Sequence, residues 1–561
     1  MHSSWWALPI RLPYHVETDT RAKGFNRKVQ AMRKILTASQ MREIDRLTTE
    51  QAYVASLVLM ENAGFQLWSA LRERFPDLDR RRIAVLCGKG NNGGDGMVLA
   101  RQLHQHGSTP DVYLFGRAEE LRGDAATNYR ALRAHGVSVH EIPGESDRQD
   151  MASRLEVYDI LVDALLGTGL TKPLEGLYAG VVEAVNRSGA FVLAVDIPSG
   201  MPSDQIESPP LAVQADLTVT FTAPKIAHAL NRSRRSFGEI KVAAIGTPKS
   251  LMERPDLQLH WLEPADVLNW YPGRPAASHK GTYGHVAVVA GSLGKAGAAG
   301  LASCAALRAG SGLVTVFCPG RVQDCIAGFH PEIMTEGFPS TDQGSFDDGG
   351  AASAVEKLTR LDAAALGPGL TTHPRTVRFV RRVVEESPVP LVIDADGLNA
   401  FAGAAHELRN RAQKPLVLTP HPGEFARLTG RPIAEILADG PALARAFAVE
   451  RCVWLVLKDF RCIVADPEGR VFVSPFGNPG MATGGMGDVL TGVLVSMLGR
   501  NNLRNLPDAE FVTGAVCTGV LLHGRAGDRA AARCGEEALA AGDVITELGD
   551  AWRDFVRVGG P

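Results

Sequence analysis

Apolar residues in this chain fall in short unbroken runs separated by amphipathic stretches, and that rhythm sets the expected elements. Ordered signals begin at TASQMREIDRLTTEQ. Thr37 and Gln40 have capping-box spacing there, and Met41, Ile44 and Leu47 recur at helical intervals. RRIAVLCG at 81–88 reads as a strand, GMVLARQLHQHG as a helix and PDVYLFG at 110–116 as a second strand. Helical GDAATNYRALRAHG is followed by YDILVDALLG at 158–167, a helix ending near Gly189, and AFVLAVDIPSG at 190–200. ADLTVTFTAPK and FGEIKVAAIG close the series. Strands that are apolar throughout and separated by helices predict a parallel sheet covered on both faces.

LEPADVLNWYPGRPAASHKGTYG, 262–284, interrupts the alternation with prolines, glycines and polar residues, which marks a domain boundary. A second α/β series follows, from GHVAVVAGS and helical KAGAAGLASCAALRAGSG through GLVTVFCP, AALGPGL, PLVIDADGLNA, PLVLTPHPGE and CVWLVLKDFRCIVADPEG. It ends in NPGMATGGMGDVLTGVLVSMLG at 478–499, a glycine loop running into an apolar helix. The expectation is an α/β protein of two domains, 36–262 and 263–557. Residues 1–35 form an extension expected to be disordered. A chain of 561 residues is too long for one core, which agrees.

Composition narrows the function classes. With 59 basic and 62 acidic residues there is no basic field to displace counterions, so no nucleic-acid partner is expected. No stretch approaches the ~20 apolar residues of a membrane span, and WWALPI in the leader is too short for a signal-peptide core. The eight cysteines form no C-x-x-C pair and several lie in apolar runs, which fits a reducing, cytoplasmic compartment.

Candidate chemistry lies at the strand ends. In GKGNNGGDG, Gly88, Gly90 and Gly93 have G-x-G-x-x-G spacing between a strand and a helix, either a phosphate-holding turn or simply a tight one. Asn91, Asn92 and Asp95 exceed what such a turn needs, and the second strand ends VYLFGR without the carboxylate that holds a ribose. Asp163 in DALLGTGL, and Asp196 and Ser199 in VDIPSG, either cap their turns or join NNGGD in a crevice whose oxygens suit a hard cation. In the second half GGMGD, 484–488, opens a helix: successive N–H groups make an anion hole, and Asp488 is a base or a helix cap. The spacing is not that of a P-loop.

TASQMREIDR, LMENAG, GKGNNGGDG, DALLGTG and DIPSG, in this order, resemble the bifunctional NAD(P)H-hydrate repair enzymes from about residue 36 onward. GSLGKAGAAGLAS, LGPGL, DADGLNA, TPHPGE and GGMGDVLTG resemble their dehydratase half, a branch of the ribokinase-like fold. The resemblance implies a Rossmann-like three-layer epimerase domain and a ribokinase-like α/β domain that dehydrates the S epimer at the expense of ADP, giving AMP and phosphate. It implies that Asn91, Asn92, Gly93, Gly94 and Asp95 contact the hydrate of NADH or NADPH. Gly167, Thr168, Gly169, Leu170, Thr171, Lys172, Pro173 and Asp196 would do the same. Asn92, Asp163 and Ser199 would bind potassium, with Asp163 or Asp196 as proton shuttle. In the second half Ala298, Gly369, His421 and Asp488 would meet the hydrate, although His421 also reads as a turn histidine before Pro422. Lys458, Asp459, Phe460, Arg461, Cys462 and Gly487 would meet the adenine nucleotide, with Asp488 catalytic and Glu424 an indirect magnesium ligand. Two departures stand out: FTAPKIAHAL lacks a glycine after Lys225, and Asp459 replaces glycine after Lys458. Oligomeric state is left open. The competing expectation is a small-alcohol kinase joined to a non-catalytic nucleotide-binding module.

Overall fold

The computed structural model describes residues 32–152, 154–170, 172–271, 273–409, 414–500 and 508–557. Residues 1–31 of the extension and Thr171 lie outside the described residues. The chain divides into two compact units between Leu257 and Gln258 rather than at residue 262. Leu259–Trp261 pairs in parallel with Val471–Val473, which ties it to the second unit's sheet.

In the first unit, β1 (Ile83–Cys87), β2 (Asp111–Leu114), β3 (Val139–Glu141), β4 (Ile160–Ala164), β5 (Phe191–Val195), β6 (Leu217–Phe221) and β7 (Glu239–Ala243) form one sheet in the order β3-β2-β1-β4-β5-β6-β7. Every pairing is parallel. Alternate residues serve opposite faces: Ile83, Val85 and Cys87 pack with α2 (Ser56–Arg74), α3 (Asn91–Gln105) and α4 (Gly123–Ala134). Ala84 and Leu86 pack with Val181, Val182 and Val185 of α5 (Gly176–Arg187). This is the three-layer arrangement that fully apolar strands require. Strand β3 escapes the sequence pattern because its edge residues are partly or fully exposed. Ahead of the sheet, α1 (Ala38–Glu50) starts with the predicted capping box: Thr37 Oγ1 accepts from Gln40 N (3.1 Å) and Gln40 Oε1 accepts from Thr37 N (3.0 Å).

The second unit has β8 (Leu259–Trp261), β9 (His285–Val289), β10 (Leu313–Pro319), β11 (Met334–Phe338), β12 (Ala363–Leu366), β13 (Leu391–Ile393), β14 (Leu416–Leu418), β15 (Trp454–Leu457), β16 (Ile463–Ala465) and β17 (Val471–Val473). They run β8-β17-β16-β15-β14-β13-β12-β9-β10-β11. The sheet is parallel except at β15/β16 and β16/β17, where no helix intervenes and the chain turns back directly. Against one face lie α6 (Ala296–Ala309), α8 (Met486–Leu498), α9 (Asp508–Cys534) and α10 (Ala541–Arg557); α7 (Pro422–Thr429) follows β14. Helices α6 and α8 cross closely, since a Cβ on Gly492 would lie 2.0 Å from Ala302 O.

Candidate functional site

The first unit's strand order reverses between β1 and β4, and ligands of open parallel sheets bind outside the carboxyl ends of such a pair. Two glycines close the turn there. A Cβ on Gly88 would fall 1.8 Å from Leu165 O, and one on Gly93 1.9 Å from Gly88 O. Asn92 Nδ2 donates to Leu166 O (3.1 Å), and Ser199 Oγ accepts from Leu166 N (2.9 Å). Buried Asp163 accepts from Ser199 Oγ (2.6 Å), Ser199 N (2.7 Å) and Leu165 N (3.3 Å). Burial pushes the Asp163 carboxyl up to about 6 despite those donors. Asn92, Asp163 and Ser199 therefore converge on one backbone turn. Gly167 faces the Asn92 side chain, while Gly169, Lys172 and Pro173 are exposed and Thr168 and Leu170 half-buried. Asn91 is exposed; Gly93 and Gly94 are buried.

Asp196 has different surroundings. It takes φ 61°, a left-handed conformation that a non-glycine residue holds only when its neighbours over-determine it. Thr220 Oγ1 donates to Asp196 Oδ1 (2.8 Å), and Lys225 Nζ donates to the same oxygen (2.5 Å), to Thr220 Oγ1 (2.8 Å) and to Phe221 O (3.3 Å). His228 Nδ1 accepts from Lys225 N (2.9 Å), so its Nε2–H donates to Asp196 O (3.0 Å). Burial, reinforced by the Lys225 charge, drives His228 down to about 3 and keeps the ring neutral. Burial alone would raise Asp196, but the Lys225 ammonium outweighs it and holds that carboxyl below its ordinary range. Burial and the charges of Asp196 and Asp45 lift Asp95 well above its ordinary value. Asp45, from α1, is pushed by burial to about 6 against the pull of Lys225, and its Oδ1 is buried without a hydrogen-bond partner among the described residues. Asp196 is thus held below its ordinary range beside Asp45 and Asp95, whose carboxyls are held above theirs.

In the second unit Gly485, at φ 89°, starts α8. The first intrahelical bond runs from Val489 N to Gly485 O (3.0 Å), so the N–H groups of Met486, Gly487 and Asp488 point out of the helix start. A Cβ on Gly487 would lie 3.3 Å from both Asp394 Oδ2 and Lys458 Nζ. Lys458 Nζ donates to Asp394 Oδ1 (2.5 Å), Thr491 Oγ1 donates to Asp394 Oδ2 (2.8 Å), and Glu424 Oε2 stands 3.8 Å from Lys458 Nζ. Burial pulls Lys458 down, but Asp394 and Glu424 outweigh it and hold the ammonium above its ordinary range. Asp488 is pushed up to about 7, by burial first and then by the Asp394 charge.

The other expected residues surround this mouth in part. Ala298 touches Gly369, where an added Cβ would lie 3.1 Å from the Ala298 Cβ; Gly369 takes φ 65°. His421 is the N-cap of α7: its Nδ1 accepts from Gly423 N (3.0 Å), while Glu424 Oε2 accepts from His421 N (2.8 Å). That is the turn-histidine geometry, with half of the side chain still exposed. Asp459 Oδ1 accepts from its own neighbour, Phe460 N (2.8 Å), Phe460 is exposed, and Arg461 is buried against the Trp261 ring. Cys462 is driven up to about 12 by burial, so it stays a thiol.

Lys225, Asp45, Thr220 and His228 in the first site, and Asp394 and Thr491 in the second, are absent from the expected site residues. Asp394 ends an apolar run as Asp163 and Asp196 do, so the strand-end signal applied to it too. Lys225 follows TVTFTAP with no local pattern marking it as buried.

Fold and sites define a two-unit α/β protein in which each sheet presents a carboxylate–lysine pair beside a glycine turn. Residues 56–227 match the family described as YjeF-related protein N-terminus, and residues 286–548 match NAD(P)H-hydrate dehydratase. The bifunctional NAD(P)H-hydrate repair enzyme of Moorella thermoacetica is 40% identical over 515 residues, 92% of this chain and 96% of that protein. Its counterpart in Escherichia coli is 32% identical over 90% and 92% of the two chains. An ADP/ATP-dependent NAD(P)H-hydrate dehydratase structure from Bacillus subtilis, co-crystallised with ATP and Mg2+, is 30% identical, covering 52% of this chain and 97% of its own, with a TM-score of 0.44. The chain belongs to the bifunctional NAD(P)H-hydrate repair enzyme family.

Proposed function

We propose that the first unit interconverts the R and S hydrates of NADH and NADPH, and that the second dehydrates the S epimer with ADP. What carries the reading is Asp488, held near pKa 7 at an N–H-lined helix start beside Lys458. A base poised near the operating pH is what removal of a hydroxyl proton needs.

In the second unit Asp488 takes the proton of the hydrate hydroxyl as that oxygen attacks the terminal phosphorus of ADP, and AMP leaves. The N–H groups of Met486, Gly487 and Asp488 steady the charge on the transferring oxygens. The ring nitrogen lone pair then expels phosphate, and loss of a proton from the neighbouring carbon restores NAD(P)H. Among the described residues no cluster of three metal-ligating side chains exists. Glu424 and Asp394 are already paired to Lys458. Magnesium would therefore ride on the nucleotide phosphates, neutralising their charge, with at most a carboxylate or two from the protein.

In the first unit the hydrated ring carries its hydroxyl on the carbon next to nitrogen, and that centre inverts through a ring-opened or ionised form. Asp196, held below its ordinary range, accepts the hydroxyl proton while Asp95, held well above its own by burial, supplies one, an acid–base division set by environment. Asp163 is spent on Ser199 and Leu165, which favours Asp196 as the shuttle. Asn92 Oδ1, Asp163, Ser199 Oγ and Leu166 O form an all-oxygen donor set suited to potassium once the Asn92 amide is turned. The ion would supply positive charge beside the phosphate turn.

The test gives the full chain a mixed-epimer hydrate with and without ADP. Complete recovery of reduced-nicotinamide absorbance, dependent on ADP and accompanied by AMP and phosphate, is expected. Recovery of only part of the mixture would mean an inactive first unit, and a stable phosphorylated product would mean a kinase. Replacing potassium by choline should slow epimerisation and spare dehydration.

A further inference from the structure

FTAPKIAHAL lacks the glycine expected after Lys225, and three residues beyond that lysine it carries a buried histidine, His228. His228 belongs to a short helix, Ile226–Leu230, whose N-cap is Lys225. Capping accounts for one ring nitrogen only: Nδ1 accepts from Lys225 N at 2.9 Å. Burial keeps the ring neutral, so its single proton stays on Nε2. That N–H donates to Asp196 O, 32 positions away in sequence, at 3.0 Å. The Phe237 ring meets the imidazole edge-on, 5.2 Å between centroids, and fixes its plane.

The backbone at Asp196 requires such a hold. At φ 61° it is left-handed, and Ile197 N donates to Val195 O (2.7 Å) across it, closing a three-residue turn of a rare and strained kind. Asp196 N donates to Val219 O (2.9 Å), and the carboxylate takes Lys225 and Thr220 on Oδ1. Its carbonyl is the remaining polar group of the turn, and His228 supplies the donor. One rigid ring therefore ties the backbone of the lysine to the backbone of the aspartate, the two residues whose side chains meet at 2.5 Å. Without the Nε2 bond the turn is free to relax towards an ordinary φ and carry the carboxylate off the ammonium. The helix cap alone would not prevent that, because it holds Lys225 and not Asp196.

We propose that His228 is a positioning residue of the epimerase, aiming the Asp196 carboxylate at the reacting hydroxyl by holding its strained turn in register with Lys225. The inference rests on the assignment of epimerisation to the first unit. Asparagine and glutamine separate the two ring nitrogens, since the amide of asparagine falls where Nδ1 stood and that of glutamine where Nε2 stood. In the full chain His228→Asn keeps an acceptor for Lys225 N and loses the donor to Asp196 O, whereas His228→Gln does the reverse. The kcat for epimerisation should fall about 10²-fold in His228→Asn, the loss expected when a reacting group is misplaced by about 1 Å. KM for the hydrate and the calorimetric transition of the first unit should stay near wild type. His228→Gln should recover most of the rate, although its helix start is the weaker of the two. An undiminished kcat in His228→Asn, or a His228→Gln chain no faster than His228→Asn, would overturn the role. Should His228→Asn unfold, the glutamine variant decides alone: a rate near wild type supports the role and a 10²-fold fall overturns it. A wild-type chain without epimerisation would end the underlying assignment and the role with it, whereas an active wild type with unaffected variants ends the role alone.

Discussion

Replacing Lys225 by methionine separates the energetic role of its ion pair from its chemical role. The ammonium is 1% exposed and gives hydrogen bonds to three oxygens, Asp196 Oδ1 among them at 2.5 Å. Methionine fills similar space and removes the charge. Asp196 then keeps the Thr220 hydroxyl and a longer contact from Phe221 N (3.4 Å), neither of which neutralises it. Breaking one side of a buried pair costs about 3–5 kcal/mol. The Asp196 side chain is 16% exposed, so water reaches it and the lower end, about 3 kcal/mol, applies. For a unit of this size that corresponds to a fall of roughly 6–12 °C in its calorimetric transition. The loss should be larger at pH 8 than at pH 5, because without Lys225 the folded-state pKa of Asp196 rises and acid lets the carboxylate escape by taking a proton. The double variant Lys225→Met/Asp196→Asn removes both charges and should return stability to within about 1 kcal/mol of wild type. Epimerisation should stay lost in both variants, by a factor of about 10²–10⁴, while dehydration persists. The measurements are scanning calorimetry and the two activities on separated epimers. A single variant as stable as wild type, or a double variant no more stable than the single, would refute the pairing argument.

Asp488→Asn should lower dehydration about 10²–10⁴-fold and leave epimerisation intact; the wild-type rate should fall as pH drops below about 7, where the base takes up its proton. A carboxyl whose folded pKa is raised favours folding when protonated, so Asp488→Asn should be more stable than wild type at pH 8, with the gain shrinking as pH falls below 7. Two glycine variants should behave oppositely: Gly93→Ala puts a Cβ 1.9 Å from a backbone oxygen and should cost the first unit about 3 kcal/mol or more in calorimetry. Gly487→Ala meets only 3.3 Å contacts and should fold normally, with KM for ADP raised about tenfold because the phosphate mouth is crowded. Asp45→Asn keeps the shape but cannot exchange a proton, so epimerisation should fall about 10²-fold with dehydration untouched; an unchanged rate would make Asp45 a packing residue.

Elements whose packing is local were legible in the sequence. RRIAVLCG, PDVYLFG and AFVLAV became strands because residues buried on both faces must be apolar throughout, and Thr37 capped α1 because its partner lies three residues away. Legibility failed where a contact spans the chain. Lys225 meets Asp196 29 positions away and its charge acts on Asp45 180 positions away, and Lys458 and Asp394 are 64 apart; nothing in the neighbourhood of either lysine signals a carboxylate partner. The second sheet turns antiparallel at β15/β16 and β16/β17, where the short turns 458–462 and 466–470 stand in place of a crossover helix. The glycine in GKGNNGGDG that matters most, Gly93, was legible in position, while its cause, the Gly88 carbonyl behind it, was not.

Each unit solves the same electrostatic problem by one device. An aspartate at a strand end, Asp196 after β5 or Asp394 after β13, binds a lysine at 2.5 Å, buried Lys225 in the first unit and half-buried Lys458 in the second. The charge of the paired aspartate adds to burial in raising the neighbouring carboxyl: Asp95 in one unit, Asp488 in the other. The lysine therefore serves the acid–base residue indirectly, by allowing a second carboxylate to remain ionised close by. In the first unit burial alone would raise Asp196 as well, and the Lys225 charge is what overturns it. On this reasoning neutralising Asp394 should lower the pKa of Asp488 and move the acid limb of the dehydration profile to lower pH. Asp394→Asn is the variant that reads it, with Thr491 still able to donate to the amide oxygen. A limb that stays near pH 7 would mean that burial, not the paired charge, sets the base.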